Sequence, residues 1–351
     1  MEHLRLSIIG FGTVGQGLAE LLATKKALLR QDFGLEVTLI SVANSRHGFI
    51  YREDGLNIPT LLELAAARHP LTEHPGVKHW SNALEGLKAT GGDILAEATG
   101  TNLRDAEPGM SHIRAALSKN MHVITANKGP AALAASELLS LAQEHGVQLR
   151  MESTVMAGTP VISTIREGMA GTAISSIRGI LNGTTNYILS AMAAGRDYTD
   201  VLAEAQAQGY AEADPTADVE GYDALAKILI LATLIFGRSL KAGEVVRRGI
   251  TTITREQMQQ AIENGNRIKL IASLRLHPED NRLEASVQPV ELPLSDPLAR
   301  VDGVTNAITI HSDTLPEITV IGPGAGRLAT GQGLLADLIA IAHKITTTHD
   351  L

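Results

Sequence analysis

The sequence predicts an α/β protein of two domains, and three observations carry that reading. The first part of the chain alternates short apolar runs with stretches of helical periodicity, the pattern of right-handed βαβ units around a parallel sheet. From Leu149 the texture changes to longer strand-like runs separated by helices and an acidic loop, a second domain of the α+β kind. A chain of 351 residues, 44% of them apolar, also exceeds one typical core.

In order, Leu4–Ile9 is an apolar run closed by Gly10 and reads as a buried strand. Thr13 to Leu29 carries apolar residues at helical spacing, and Val37–Ala43 reads as the next strand. The stretch from Arg68 to Gly76 holds Pro70 and Pro75 with His69 and His74, and reads as an exposed loop. Asp93–Thr99 and His122–Thr125 read as two further strands, each followed by small or polar residues. In the second domain, Ile174–Leu181 reads as a strand and Ile268–Leu276 with Leu283–Val290 as a pair. Ile318–Ile321 then runs into Gly322-Pro323-Gly324-Ala325-Gly326 and an apolar helix, Leu334–Ile345. That strand, glycine loop and helix resemble the first domain, so the chain is expected to return to it. The expected boundaries are 1–150, with a return segment 318–351, and 151–317.

Several function classes are excluded. A net charge of −8 argues against a nucleic-acid partner, because a phosphate backbone calls for a basic face. The absence of cysteine removes disulfides, thiolate nucleophiles, iron–sulfur clusters and Cys zinc sites. The histidines form no H-E-x-x-H pair, which leaves a metallohydrolase without support. The longest apolar stretch, Ile228 to Phe236, falls far short of the ~20 residues of a membrane span. With no leader-like N-terminus, a cytoplasmic protein is expected.

Gly10-Phe11-Gly12-Thr13-Val14-Gly15 fits G-x-G-x-x-G between a strand and a helix, the context that gives this pattern its meaning. Gly10 permits the tight turn, Gly12 leaves room for a pyrophosphate, and Gly15 lets helix and strand approach. The amides of the helix start face the phosphates. The first domain is therefore a Rossmann-type nucleotide domain. The second strand ends at Ala43-Asn44-Ser45-Arg46, without the carboxylate that takes a ribose 2′-hydroxyl in NAD sites. Arg46 can pair with a 2′-phosphate or stand as a solvated charge, and the first reading favours NADP over NAD. At the other strand ends, Thr99-Gly100 suits a nicotinamide ribose. Lys128, after Asn127, is either a cofactor or substrate contact or a surface lysine that opens a helix.

Glu212, Asp214, Asp218, Glu220 and Asp223 crowd the segment from Gly209 to Asp223. The stretch from Ala224 to Phe236 is apolar at every position but Lys227 and Thr233, so its helix is buried on most sides. An ammonium in such surroundings must pair or give up its proton. Asp223 lies four residues earlier, so the two can be a simple helix ion pair or an amine held at a site edge for proton transfer to an alcohol oxygen. The carboxylates can be a solvated loop or can bind a substrate ammonium group. Their order does not follow an EF-hand.

Taken together, Gly10–Gly15, Ala126-Asn127-Lys128, Glu152–Pro160, Asn182–Tyr187, Gly209–Lys227 and Gly322–Gly326 make the chain resemble the homoserine dehydrogenase family over nearly its whole length. The resemblance implies reduction of aspartate 4-semialdehyde to homoserine, on the path to threonine and methionine. It implies proton transfer by Lys227 and substrate binding by Glu212, Asp218 and Asp223, with Thr184, Gly183 and Asn182 close by. It further implies that Lys128 sits between cofactor and substrate, that Gly326 touches the dinucleotide, and that the protein is a homodimer. Glu152 and the carbonyls of Val155, Ala157 and Thr159 resemble the family's loop for a monovalent cation, sodium or potassium, for which hard oxygen ligands are suited. Ala213 and Thr159 depart from the proline and leucine common in relatives. The C-terminal regulatory domain of many bacterial members is not expected, since the chain ends at Leu351. Two other readings remain: a related amino-acid or semialdehyde dehydrogenase, and a dinucleotide sensor without catalysis.

Overall fold

The computed structural model describes residues 1–349 and divides into two compact units, residues 1–158 with the segment from Gly326 onward, and Thr159–Ala325. The first is built on strands β1 (Glu2–Ile9), β2 (Leu35–Asn44), β3 (Gly48–Tyr51), β4 (Lys78–Trp80), β5 (Ile94–Glu97), β6 (His122–Thr125) and β7 (Leu149–Arg150), in the sheet order β4-β3-β2-β1-β5-β6-β7. Strands β2, β1, β5, β6 and β7 are parallel, while β3 and β4 add an antiparallel edge. The parallel strands bury apolar side chains on both faces, Leu6, Ile8, Ile94 and Ile124 on one and Ile9, Leu95 and Val123 on the other. The chain order reverses at β1, with β2 on one side and β5 on the other. The carboxyl end of β1, where Gly10 sits, is therefore the switch point at which such sheets bind ligands.

Three expectations for this unit change. The helix from Thr13 is two helices, Thr13–Thr24 and Lys26–Phe33. The Thr24 hydroxyl donates to the Glu20 carbonyl, one turn back, the kind of bond that bends helices. The segment from Arg68 to Gly76 is not simply exposed. Leu71 and His74 are buried, and His74 Nε2 accepts from the Asn57 amide at 2.9 Å. The strand expected over Asp93–Thr99 is confined to Ile94–Glu97, because Ala98 and Thr99 turn toward the Gly10 loop.

The second unit is a six-stranded sheet of β8 (Ile174–Ile180), β9 (Val246–Arg247), β10 (Asn266–His277), β11 (Arg282–Pro293), β12 (Thr305–Ser312) and β13 (Ile318–Pro323), ordered β13-β12-β8-β10-β11-β9. The expected return of the chain at 318 does not hold. β13 pairs antiparallel with β12 from Thr305↔Pro323 to Ile310↔Ile318, so it belongs to the second sheet. The glycine loop after it serves close packing there. A Cβ on Gly322 would stand 2.3 Å from Thr159 Oγ1, and one on Gly324 2.2 Å from Asn306 Nδ2. Only the helix Arg327–His349 rejoins the first unit, where Leu334, Leu335, Leu338 and Ile341 are buried with Leu18 and Leu22. No described helix is long and apolar enough to cross a membrane.

Candidate active site

In the first unit the carboxyl edge of the sheet opens into a cavity of about 880 Å³ whose lining includes Gly10, Gly12, Arg46, Thr99, Gly100 and His112. The glycines divide the work as the motif requires. Gly10 has φ +101°, and a Cβ there would stand 2.3 Å from the Ala98 carbonyl group. A Cβ on Gly15 would be 2.3 Å from Gly10 O, where the helix meets its strand, while one on Gly12 would touch nothing within 4 Å. Gly12 thus leaves open space before a helix start, a cradle fit for a pyrophosphate. Thr13 and Val14 form the first turn of that helix, and Phe11 and Gln16, unnamed from sequence, line the cavity. At its other end Asn44 Oδ1 accepts from the amides of Arg46 and His47, which fixes the turn that carries the guanidinium. Arg68, His47 and His69 line the same cavity, together with Ser45, Ser81 and Asn82.

Thr99 lines the cavity at the end of β5, and Asn127 caps the helix Lys128–Glu144 at the end of β6. Lys128 is the half-buried first residue of that helix, and Lys128 and Gly326 lie outside the cavity lining. Glu152, Val155 and Ala157 are buried at the end of this unit, and Ala157 has φ +51°. The Glu152 amide donates to Asp337 Oδ2 at 2.8 Å, and burial pushes the Asp337 carboxyl up to about 7. Thr159, in the other unit, is buried with its hydroxyl donating to Pro323 O at 3.0 Å.

The second unit gathers the expected polar residues about one amide. Asn182 ends the turn after β8 and caps the helix Gly183–Ala193, its Oδ1 accepting from the Thr185 amide at 2.9 Å. Its Nδ2 donates to Asp218 Oδ1 at 2.7 Å and to Asp223 Oδ2 at 3.1 Å. Asp223 Oδ2 meets Lys227 Nζ at 2.9 Å, and Lys227 also donates to the Leu181 carbonyl. Lys227 is only 5% exposed, on the helix Tyr222–Phe236. Burial raises the Asp218 pKa, against the lowering effect of the Asn182 bond. Gly183 packs on Val304 O, and the Thr184 hydroxyl donates to Tyr210 O at 2.7 Å beside this cluster. Glu212, by contrast, has an exposed side chain, and Gln206 binds its carbonyl.

Comparison with known proteins points to one family. The family description "Homoserine dehydrogenase" matches residues 160–339, and "Homoserine dehydrogenase, NAD binding domain" matches residues 10–152. An NAD(+)-dependent homoserine dehydrogenase of Pseudomonas canavaninivorans is 38% identical over 99% of this chain and 98% of its own. The homoserine dehydrogenase of Methanocaldococcus jannaschii is 38% identical over 95% and 97%. Among solved structures, a putative homoserine dehydrogenase from Archaeoglobus fulgidus superposes with TM-score 0.86 at 38% identity, covering 97% of this chain and 99% of that one. A hyperthermophilic archaeal homoserine dehydrogenase in complex with NADPH gives TM-score 0.84 at 30% identity, covering 98% of each. With both halves matched and relatives aligned end to end, the chain belongs to the homoserine dehydrogenase family, NAD(P)-dependent oxidoreductases.

Proposed function

We propose that the chain interconverts L-homoserine and L-aspartate 4-semialdehyde, as a step toward threonine and methionine, with NADP preferred to NAD. The observation that carries the substrate side is the cluster in which buried Asn182 and Lys227 meet half-buried Asp218 and Asp223. Asp218 and Asp223 meet at the Asn182 amide, and their carboxyl oxygens are acceptors suited to a substrate ammonium group. Asp218 and Asp223, with Glu212 from the exposed start of the same acidic segment, hold that group, and Thr184, Gly183 and Asn182 shape the floor. Lys227 delivers a proton to the aldehyde oxygen in reduction and takes it from the hydroxyl in oxidation, with Asp223 holding its Nζ in place. Lys128 fixes the substrate against the cofactor.

In the first unit the amides of Gly12, Thr13, Val14 and Gly15 bind the pyrophosphate, Arg46 pairs with a 2′-phosphate, and Thr99, Gly100 and Gly326 contact the rest. The nicotinamide, when bound, supplies or accepts the hydride, and the protein contributes placement and charge. Glu152 and the carbonyls of Val155, Ala157 and Thr159 bind sodium or potassium. The functional protein is a cytoplasmic homodimer joined through the second unit. The test is absorbance of the reduced nicotinamide with L-homoserine, using NADP and NAD in parallel and potassium, sodium or a bulky organic cation as the salt. Reduction with homoserine but not serine or threonine is expected, faster with NADP and with an alkali cation. No reduction by protein that binds the dinucleotide sinks the enzymatic reading and leaves a sensor.

A further inference from the structure

One fully buried carboxylate in the first unit has no part in the reading above. Glu97 closes β5 at 0% exposure, beside Ile9 of β1 and Thr125 of β6. Such a group is costly to bury unless bonds and charge replace its water. Its Oε1 accepts from the Thr99 hydroxyl and, at 3.3 Å, from the Thr99 amide. His112 Nδ1 stands 3.5 Å from the same oxygen, and His112 lines the dinucleotide cavity. Oε2 is buried without a hydrogen-bond partner among the described residues.

The bonds continue outward from this carboxylate. Asn127 Nδ2 donates to Thr99 Oγ1 at 3.0 Å, and Asn127 Oδ1 accepts from the Gly129 amide at 3.0 Å, which caps the helix that begins at Lys128. As a carboxylate, Glu97 can only accept. Thr99 must then donate to it, which leaves the hydroxyl oxygen to accept from Asn127. The Gly129 N–H can only donate, so it holds the Asn127 amide with its oxygen toward Gly129 and its Nδ2 toward Thr99. The chain runs from the Gly129 amide, which can only donate, to Glu97, which only accepts, and it ties the ends of β5 and β6 together. The pyrophosphate loop lies at the end of β1 and the adenosine end of the cavity at the end of β2. The nicotinamide half therefore extends the other way, over β5 and β6.

We propose that Glu97 is a positioning residue for the nicotinamide half of the cofactor, acting through Thr99 and Asn127. This rests on the reading that places the nicotinamide ribose beside Thr99. The test compares Glu97→Gln, Thr99→Val and the double variant in the full-length protein. Calorimetric Kd values for NADPH and for 2′-phospho-ADP-ribose, which lacks nicotinamide, are measured with kcat for homoserine. Glutamine keeps the shape but removes the charge, so the Thr99 hydroxyl and amide donate to a weaker acceptor. For E97Q the expected result is a roughly tenfold weaker NADPH Kd with the fragment Kd within about twofold, the scale of one charge-assisted hydrogen bond. The double variant is expected to be no worse than T99V, because both changes cut one path. Wild-type NADPH affinity and kcat in E97Q, equal losses for fragment and dinucleotide, or full additivity with T99V each overturn the proposal. If T99V alone matches wild type, the placement of nicotinamide beside Thr99 fails instead. Should E97Q not fold, Asn127→Asp replaces it, since aspartate caps the helix but cannot donate to Thr99. The same selective loss then supports the proposal, and an equal loss for both ligands overturns it.

Discussion

Lys227 owes its position to a conflict in its own helix, where an ammonium is carried among apolar neighbours and must find compensation. It finds Asp223 one turn back and the Leu181 carbonyl beyond it. The first partner was legible in the sequence because four residues span one helical turn. Leu181 was not, and Asn182 came only from the family resemblance, since no local spacing brings the end of β8 to this helix. Lys227→Met is expected to lower kcat by about 10²–10⁴, the usual worth of a positioned acid–base group, with the NADPH Kd unchanged because that ligand binds the other unit. Steady-state rates with calorimetry check it, and wild-type turnover removes the proton-transfer role. Asp218 yields a pH prediction. Burial raises its pKa, so the fold favours the protonated carboxyl. The stability this contributes is fully present below the ordinary carboxylate pKa and is lost as pH rises through the raised value. Asp218→Asn stays neutral and keeps it. The Tm of D218N relative to wild type should therefore climb with pH across that window and then level off, and a pH-independent difference would count against a raised pKa.

At the scale of elements, local pattern and distant pairing contributed differently. β6 was read from sequence with its observed bounds, and the hairpin of β10 and β11 was read short by only a few residues at its ends. Strands β3 and β4 were missed because each is short and its pairing supplies what its pattern lacks; Phe49 and Ile50 are buried only once Val42 and Trp80 lie alongside. β12 was missed too, which left β13 without a visible partner and let it pass for part of the first domain. The true loop is legible because strand, glycines and helix coincide, and it makes a sharp contrast testable. Gly12 has φ −92° and ψ −153°, which any residue can adopt, and a Cβ there meets nothing. Gly12→Ala should stay within about 1 kcal/mol of wild-type stability while weakening NADPH binding by more than about tenfold. Gly10→Ala faces positive φ and a backbone collision, and should lose about 2–4 kcal/mol before binding is considered. Chemical denaturation and calorimetry separate the two, and similar stability losses in both would sink the assignment of Gly12 to the ligand side.

For the whole molecule, the first unit is not complete until the end of the chain. It is left after Gly158 and rejoined at Gly326, and the helix that returns supplies Leu334, Leu335, Leu338 and Ile341 to its core. Glycine permits the approach, since a Cβ on Gly17 would stand 2.2 Å from Arg327 O and one on Gly331 2.7 Å from the Gly17 carbonyl carbon. The apolar helix was visible in sequence, but the crossing point was not, because it depends on which sheet claims β13. Contacts so far apart along the chain carry a loop-closure cost and belong to late, slow steps of folding. Leu338 is fully buried, so Leu338→Ala should cost about 2–5 kcal/mol. The sharper question is which unit pays that cost, and NADPH answers it. A ligand at about 100 times its Kd adds roughly 2.7 kcal/mol to the unit that binds it. If the return helix belongs to the dinucleotide core, the unit weakened by L338A is the unit NADPH holds, and the lost Tm should be largely recovered on saturation. A Tm deficit that NADPH leaves untouched would show that the weakened core is not the one that binds the cofactor.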